Sequence, residues 1–121
     1  MKIFVVDDCR ESADLVVEIL RTLGYEVSAA YDGVQGLEAL SVTPVDVVLL
    51  DLRMPGMDGY HVLKTLRSRQ LNPQPRIVAF TGCADADEIA KMQEHGFDSI
   101  LIKPVSINAI AEAIDIGAVV S

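Results

Sequence analysis

The sequence predicts an α/β fold in which helices cover both faces of a five-stranded parallel sheet. Short apolar segments alternate five times with segments whose apolar residues recur at helical spacing. The connections between these segments are short, and glycine, proline or a capping residue marks most of their boundaries. Such alternation is typical of parallel sheets with right-handed crossover connections.

The predicted strands differ in how apolar they are. Together they are Ile3–Val6, Tyr25–Ala30, Val45–Asp51, Arg76–Phe80 and Ser99–Ile102. The third is almost unbroken valine and leucine, which favours a strand buried on both faces. The second is more polar, so we expect it at an edge of the sheet.

The predicted helices follow the strands, and each has one apolar stripe. The stripes are Leu15, Val16, Ile19, Leu20 and Leu23; Val34, Leu37 and Leu40; Val62, Leu63 and Leu66; Ile89 and Met92; and Ile107, Ile110, Ala111 and Ile114. The expected N-terminal caps are Asp32, Asp58, Asp85 and Ser106. Gly24, Thr43-Pro44 and Gly96 are expected to end helices.

Length and composition exclude several classes of protein. A chain of 121 residues is expected to be a single domain, 1–121, with no output domain. A net charge of −8 argues against direct nucleic-acid binding. No segment has the apolar length of a membrane span, and the N-terminus does not resemble a signal peptide. Cys9 and Cys83 are expected to be reduced, which suits the cytoplasm, although a disulfide between them stays an alternative.

Chemically active side chains stand where the predicted strands end. Asp7 and Asp8 follow the first strand, Asp51 ends the third, Thr81 follows the fourth and Lys103 the fifth. The carboxyl ends of parallel strands lie at one edge of a sheet, where open α/β folds bind their ligands. If the first, third, fourth and fifth strands are neighbours, these side chains converge on one shallow pocket.

Three carboxylates in one pocket repel one another and require a cation. An oxygen-only ligand set without histidine or cysteine favours a hard ion, Mg²⁺ before Ca²⁺ or Mn²⁺. The lysine and the hydroxyl then supply partners for the oxygens of a phosphoryl group. The pattern therefore predicts a site that places a phosphoryl group on or beside Asp51.

These motifs together resemble the receiver domain of two-component response regulators. The resemblance is carried by Asp7-Asp8, the segment V-V-L-L-D-L-R-M-P-G-M-D-G around Asp51, Thr81-Gly82 and Lys103-Pro104, and it covers essentially the whole chain. It implies a flavodoxin-like doubly wound fold with strand order 2-1-3-4-5. It also implies that Asp51 accepts a phosphoryl group from a phosphohistidine.

The resemblance assigns roles to the other site residues. Asp8 and Asp51, with the backbone carbonyl of Arg53, would ligate Mg²⁺, and Asp7 would act mostly through a bound water. Lys103 would pair with Asp51 and later with the phosphate. Thr81 would bind the phosphoryl group, and the peptide bond from Lys103 to Pro104 would be cis. One position departs from the family pattern, because Ile100 stands where receivers usually have a switching Tyr or Phe.

The implied function is a signalling switch that catalyses only its own phosphorylation and dephosphorylation. The implied partners are a sensor histidine kinase or a histidine phosphotransfer protein, and a downstream protein target at the surface of helix 4, strand 5 and helix 5. The alternative is the receiver module of a hybrid histidine kinase, which would relay phosphate to or from a histidine phosphotransfer protein. This alternative follows from a weaker likeness of the segment from Thr81 to Lys103-Pro104 to such receivers.

Three other classes fit less well. An aspartyl phosphatase or phosphotransferase needs a second catalytic aspartate soon after the nucleophile, and Asp58 is too distant. A flavin-binding protein needs a hydroxyl-rich phosphate loop after the first strand, where this chain has D-D-C-R-E-S. A receiver-like module that is never phosphorylated would not need the intact site.

Overall fold

Five parallel strands form one sheet in the order β2-β1-β3-β4-β5, as predicted. The structure is a computed structural model that describes residues 1–69, 74–82 and 85–103. The elements in this part of the chain are β1 (Lys2–Val6), α1 (Arg10–Thr22), β2 (Glu26–Ala30), α2 (Gly33–Val42), β3 (Val47–Asp51), α3 (Gly59–Ser68), β4 (Arg76–Thr81), α4 (Ala86–His95) and β5 (Ser99–Ile102). None of these helices is long and apolar enough to cross a membrane.

The predicted last helix lies outside the described residues. The cap Ser106 and the stripe Ile107, Ile110, Ala111 and Ile114 belong to it. Cys83 and Pro104 also lie outside. Because Cys9 is a free, exposed cysteine, the alternative of a Cys9–Cys83 disulfide is wrong.

The central strand β3 is buried along its whole length. Its alternate side chains point to opposite faces of the sheet, as the pleat requires. Val48 and Leu50 pack in a cluster with apolar side chains of α2, α3 and α4. Val47 and Leu49 pack in a second cluster with side chains of α1. Burial on both faces explains why the sequence of β3 is a continuous apolar run.

The register of the sheet brings the predicted site together. Val6 lies beside Leu50, so the residue after β1 is next to the last residue of β3. Asp51 pairs with Phe80, which places Thr81 one position beyond it on the neighbouring strand. Thr81 in turn pairs with Ile102, the last residue before Lys103.

The inward face of α1 differs from the predicted stripe. Val16 and Leu20 are buried as expected, and Ile19 packs partly buried at the edge of the same cluster. Leu15 and Leu23 were predicted to face the core, but they are 58% and 42% exposed. Ala13 and Val17 complete the buried face instead, because with Val16 and Leu20 they form the i, i+3, i+4, i+7 set of an amphipathic helix.

The prediction for α2 was wrong at Val34, which is 51% exposed, and right at Leu37 and Leu40. Two glycines occupy the inward face of the first turns. A Cβ at Gly33 would lie 3.0 Å from Val62, and one at Gly36 would lie 3.0 Å from Val6. The helix therefore approaches its neighbours closely, and a glycine gives no hydrophobic signal that would mark this face in the sequence.

The helix boundaries otherwise follow the predicted signals. The carboxylates of Asp32, Asp58 and Asp85 each accept a hydrogen bond from a backbone N–H in the first turn of the helix that follows. Gly24 and Gly96 adopt φ values of 95° and 97°, a left-handed conformation that favours glycine after a helix.

The first residue of α3 lies directly against the end of β3. A Cβ at Gly59 would be 2.4 Å from the backbone oxygen of Asp51 and 2.8 Å from the Cα of Leu52. The backbone N–H of Gly59 also donates to the oxygen of Leu52 at 3.1 Å. This contact fixes the loop after Asp51 against helix α3.

We expect Gly59→Ala to destabilise the protein by about 1–3 kcal/mol, because the added methyl group meets backbone atoms that cannot rotate away. Gly82→Ala is the matched control, since a Cβ there meets no atom within 4 Å. The control should change the free energy of unfolding by less than about 0.5 kcal/mol. Urea unfolding followed by circular dichroism measures both, and equal losses would contradict the argument.

Candidate functional site

Three carboxylates meet at the carboxyl edge of the sheet. Asp7, Asp8 and Asp51 each offer one oxygen, and these oxygens all lie within 4.8 Å of one another. Asp7 is fully buried and Asp51 is 5% exposed, whereas Asp8 is exposed. The cluster thus has two carboxylates in the interior and one that faces solvent.

Backbone N–H groups hold the two buried carboxylates in place. The N–H of Cys9 donates to Asp7 Oδ1 at 3.0 Å. The N–H of Arg53 donates to Asp51 Oδ1 at 3.2 Å. In both cases the donor is two residues beyond the acid, so the chain turns sharply after the strand and points its backbone N–H at the carboxylate.

Lys103 is the cation of this cluster. Its Nζ donates to Asp7 Oδ2 at 2.8 Å and lies 3.9 Å from Asp51 Oδ2. It also lies 4.7 Å from the centre of the Phe80 ring. The backbone N–H of Lys103 donates to the oxygen of Thr81 at 2.7 Å, which fixes the start of the chain after β5. The family resemblance implies that Lys103 pairs with Asp51. In this structure the lysine lies closer to Asp7 than to Asp51.

The two buried carboxyls have opposite pKa shifts. Burial would raise the pKa of Asp7, but hydrogen bonds from Lys103 and from the Cys9 N–H outweigh it and lower this pKa. Burial, followed by the interaction with Asp7, raises the pKa of Asp51 to about 7. A buried pair of acids with a single close lysine therefore keeps one carboxylate charged and disfavours the second charge.

Thr81 lies on β4, the strand beside Asp51, and Ile100 lies on β5, the next strand along the sheet. Thr81 is buried at the end of β4, next to Asp51 in the register. Ile100 is partly buried and packs against the cluster that contains Met92 and Phe97. The position that usually carries an aromatic ring is therefore anchored to the core on the side of α4.

The side chain of Arg53 forms an ion pair that the sequence did not predict. Its Nη2 lies 3.3 Å from Glu88 Oε2, so the loop after β3 is connected to the first turn of α4. The backbone N–H of Glu88 also donates to Oδ1 of the predicted cap Asp85 at 2.8 Å. No sequence signal marks the pair, since its members are 35 residues apart.

The donor set fits Mg²⁺. All three side chains are oxygen ligands, they converge within one coordination sphere, and they include an exposed member through which an ion can enter. Hard divalent cations prefer such carboxylate sets, and Mg²⁺ usually combines one or two carboxylates with water. A cation would also offset the interaction with Asp7 which, after burial, raises the pKa of Asp51.

The chain is similar to a large family of signalling domains. The family model described as "Response regulator receiver domain" matches residues 3–115. The sensor histidine kinase RcsC of Salmonella typhi is 41% identical over 118 residues, which are 98% of this chain and 12% of that protein. This chain therefore corresponds to only a small part of that relative's length.

Two further similarities cover whole domains. Sporulation initiation phosphotransferase F of Bacillus subtilis is 33% identical over 113 residues, which are 93% of this chain and 90% of that protein. The solved receiver domain of the sensor histidine kinase PA1611 from Pseudomonas aeruginosa superposes with a TM-score of 0.85 at 25% identity. That match covers 94% of this chain and 93% of the other, and that structure has a magnesium ion in its active-site cleft.

The raised pKa of Asp51 predicts how stability depends on pH without metal. From its ordinary value of 3.8 up to about 7, the folded state retains a proton that the unfolded state has lost. Stability contributed by this proton is present below the ordinary value and is lost as the pH rises toward 7. The lowered pKa of Asp7 acts in the opposite direction, and only at lower pH.

We therefore expect the melting temperature of the parent, relative to Asp51→Asn, to fall by about 5 °C or more between about pH 5 and about pH 8 in EDTA. Thermal unfolding followed by circular dichroism at several pH values measures this difference. A difference that stays constant with pH would mean that Asp51 keeps an ordinary pKa.

Proposed function

The chain belongs to the response regulator receiver domain family, and from this we propose that Asp51 accepts a phosphoryl group from a phosphohistidine of a partner protein. The observation that carries the proposal is the position of Asp51. Asp51 ends a fully buried strand, and two other carboxylates share its site. The Nζ of Lys103 lies 3.9 Å from its Oδ2. Few structural roles explain a buried acid with so much like charge beside it.

The proposed step is an in-line transfer between two nucleophiles. A deprotonated oxygen of Asp51 forms the new O–P bond while the N–P bond of the phosphohistidine breaks. The electron pair of that bond returns to the imidazole nitrogen of the donor. Because little covalent chemistry falls to the protein, its contribution is to position the groups and to neutralise charge.

The residues that would hold Mg²⁺ are Asp8 and Asp51, together with the backbone carbonyl of Arg53. Asp7 would act mostly through a bound water. When bound, the ion supplies positive charge for the phosphoryl oxygens and for the carboxylates that otherwise repel them. The acidic cluster, and the magnesium in the related PA1611 receiver, support this assignment.

Lys103 and Thr81 would bind the transferred group. The ammonium of Lys103, now 3.9 Å from Asp51, would pair with a phosphoryl oxygen. The hydroxyl of Thr81, one position beyond Asp51 in the sheet, would donate to another oxygen and report the presence of the group. A cis peptide before Pro104 stays a prediction, because Pro104 is outside the part of the chain that the structure describes.

The domain would be a switch in the cytoplasm that performs no turnover on an outside substrate. It would catalyse only its own phosphorylation and slow dephosphorylation. The output would pass through helix 4, strand 5 and helix 5 to a protein target. A sensor histidine kinase or a histidine phosphotransfer protein would be the donor.

A second candidate is a relay within a hybrid histidine kinase. The domain would then pass phosphate to or from a histidine phosphotransfer protein. The similarity to part of RcsC and to the receiver of PA1611, both named sensor histidine kinases, favours this candidate. The phosphotransferase relative, matched over nearly its whole length, supports a free-standing relay domain equally well.

We expect acetyl phosphate and Mg²⁺ to add one phosphoryl group per chain, visible by intact mass, because a small donor needs only the site itself. The label should be stable in acid and labile in base, as an acyl phosphate is. Asp51→Asn should abolish the labelling. Asp58→Asn, which alters the nearby helix cap of α3, is the matched control and should be labelled fully. Full labelling of Asp51→Asn would show that another residue is the acceptor.

Mg²⁺ at about 10 mM should raise the melting temperature by about 2–5 °C, because the ion binds only the folded arrangement of carboxylates. Asp8→Ala should remove this increase and should itself stabilise the metal-free protein by relieving repulsion. Glu11→Ala changes an exposed acid three residues away and should keep the increase. If Asp8→Ala loses stability without metal, its carboxylate is chiefly structural.

A further inference from the structure

We propose that Arg53 exchanges partners on phosphorylation: its guanidinium leaves Glu88 and binds the phosphoryl group on Asp51, which releases the first turn of α4. This inference rests on the proposed function. It concerns how the charge change at Asp51 reaches the output surface, in a chain where Ile100 replaces the usual aromatic ring.

The loop that contains Arg53 is directly attached to the acceptor. The backbone N–H of Arg53 donates to Asp51 Oδ1 at 3.2 Å. Two residues of chain span at most about 7 Å, so the long side chain of Arg53 originates close to the acceptor carboxylate. In this structure the side chain is exposed, and its Nη2 lies 3.3 Å from Glu88 Oε2.

The present ion pair is weak enough to be exchanged. The side chains of Arg53 and Glu88 are 65% and 43% exposed, so water and salt screen the attraction between them. A phosphoryl group is a stronger partner for a guanidinium than one exposed carboxylate. It has more charge, and its oxygens match the fork of Arg donors.

The other cation at the site, Lys103, has to serve Asp7 as well as the phosphoryl group. Lys103 donates to Asp7 at 2.8 Å, a carboxylate that is present before and after phosphorylation. The Asp51 carboxyl carries at most one negative charge. The phosphorylated side chain carries about two. Within the described residues, Arg53 is the cation whose contacts join the loop after Asp51 to α4, an element of the proposed output surface.

Glu88 is well placed to transmit the release to α4. Its backbone N–H donates to the cap Asp85 at 2.8 Å, so it lies in the rigid first turn of the helix. The same helix contacts α3 at its other end, where the ring of His95 lies 4.6 Å from that of Tyr60.

The test uses the whole chain, two charge-neutral variants and a matched control. The variants are Arg53→Gln and Glu88→Gln, and the control is Glu94→Gln, the same change at an exposed site farther along α4. Acetyl phosphate with Mg²⁺ first establishes that each protein gains one phosphoryl group by mass. Amide NMR shifts are then recorded with and without beryllofluoride and Mg²⁺, a mimic of the phosphorylated state.

In the parent and in Glu94→Gln, the mimic should shift the amides of residues 86–90. In Arg53→Gln and Glu88→Gln, those amides should lie near the mimic-bound positions before the mimic is added. Adding the mimic should then shift these amides by less than about half as much as in the parent, because the ion pair between Arg53 and Glu88 is already broken. Parent-like shifts in both variants would overturn the exchange.

The lifetime of the phosphoryl group distinguishes an exchange of partners by Arg53 from an ion pair that only holds the loop after β3 to α4. Arg53→Gln should shorten it by about threefold, since the group loses a charged partner, whereas Glu88→Gln should preserve or lengthen it. Equal effects of the two variants would mean that the pair is only structural. If the parent gains no phosphoryl group by mass, the proposed function is contradicted. That outcome is distinct from a failure of the partner exchange, which the NMR shifts and the lifetimes report.

Discussion

Repulsion among three carboxylates is the constraint on which the rest of the structure depends. Two of them are buried, and the described interior offers a single ammonium, Lys103, at 2.8 Å from Asp7 and 3.9 Å from Asp51. One lysine can stabilise one buried negative charge well and a second only in part. Burial, and then the interaction with Asp7, raise the pKa of Asp51 to about 7. Because the site retains unbalanced negative charge, it favours the binding of a divalent cation.

The sheet supplies the precision that this arrangement needs. The acids and the lysine are contributed by β1, β3 and β5, and their convergence follows from the register of parallel strands whose ends meet at one edge. Gly59 closes the arrangement from the side of α3, where its lack of a Cβ lets the helix reach the backbone of Asp51. Asp51 is thus held by a buried strand on one side and by a closely packed helix on the other.

The residues of the site and the contacts that connect this site to α4 lie in different parts of the structure. The acceptor, the acids and the lysine match the receiver pattern, and they lie on strand ends. The route outward does not match in full, because Ile100 packs partly buried against the core and has no ring to rotate. The Arg53–Glu88 pair connects the same two regions across the surface. This chain therefore keeps the residue pattern of its family at the site, while the contact observed between the loop after β3 and α4 is made by Arg53 and Glu88.

The sequence by itself determined the fold class, the strand order through family resemblance, the three confirmed aspartate caps and the acids and lysine of the site. These features have local or periodic signatures: a run of apolar residues, a capping oxygen, a carboxylate at a strand end. Only the tertiary structure decided that Leu15, Leu23 and Val34 are exposed, since the true inner faces include alanine and glycine, which have little or no hydrophobic signal. It also decided that Lys103 lies closer to Asp7 than to Asp51, and that Arg53 meets Glu88. Such pairings depend on distances between residues far apart in the chain, and the pattern of one segment does not contain them.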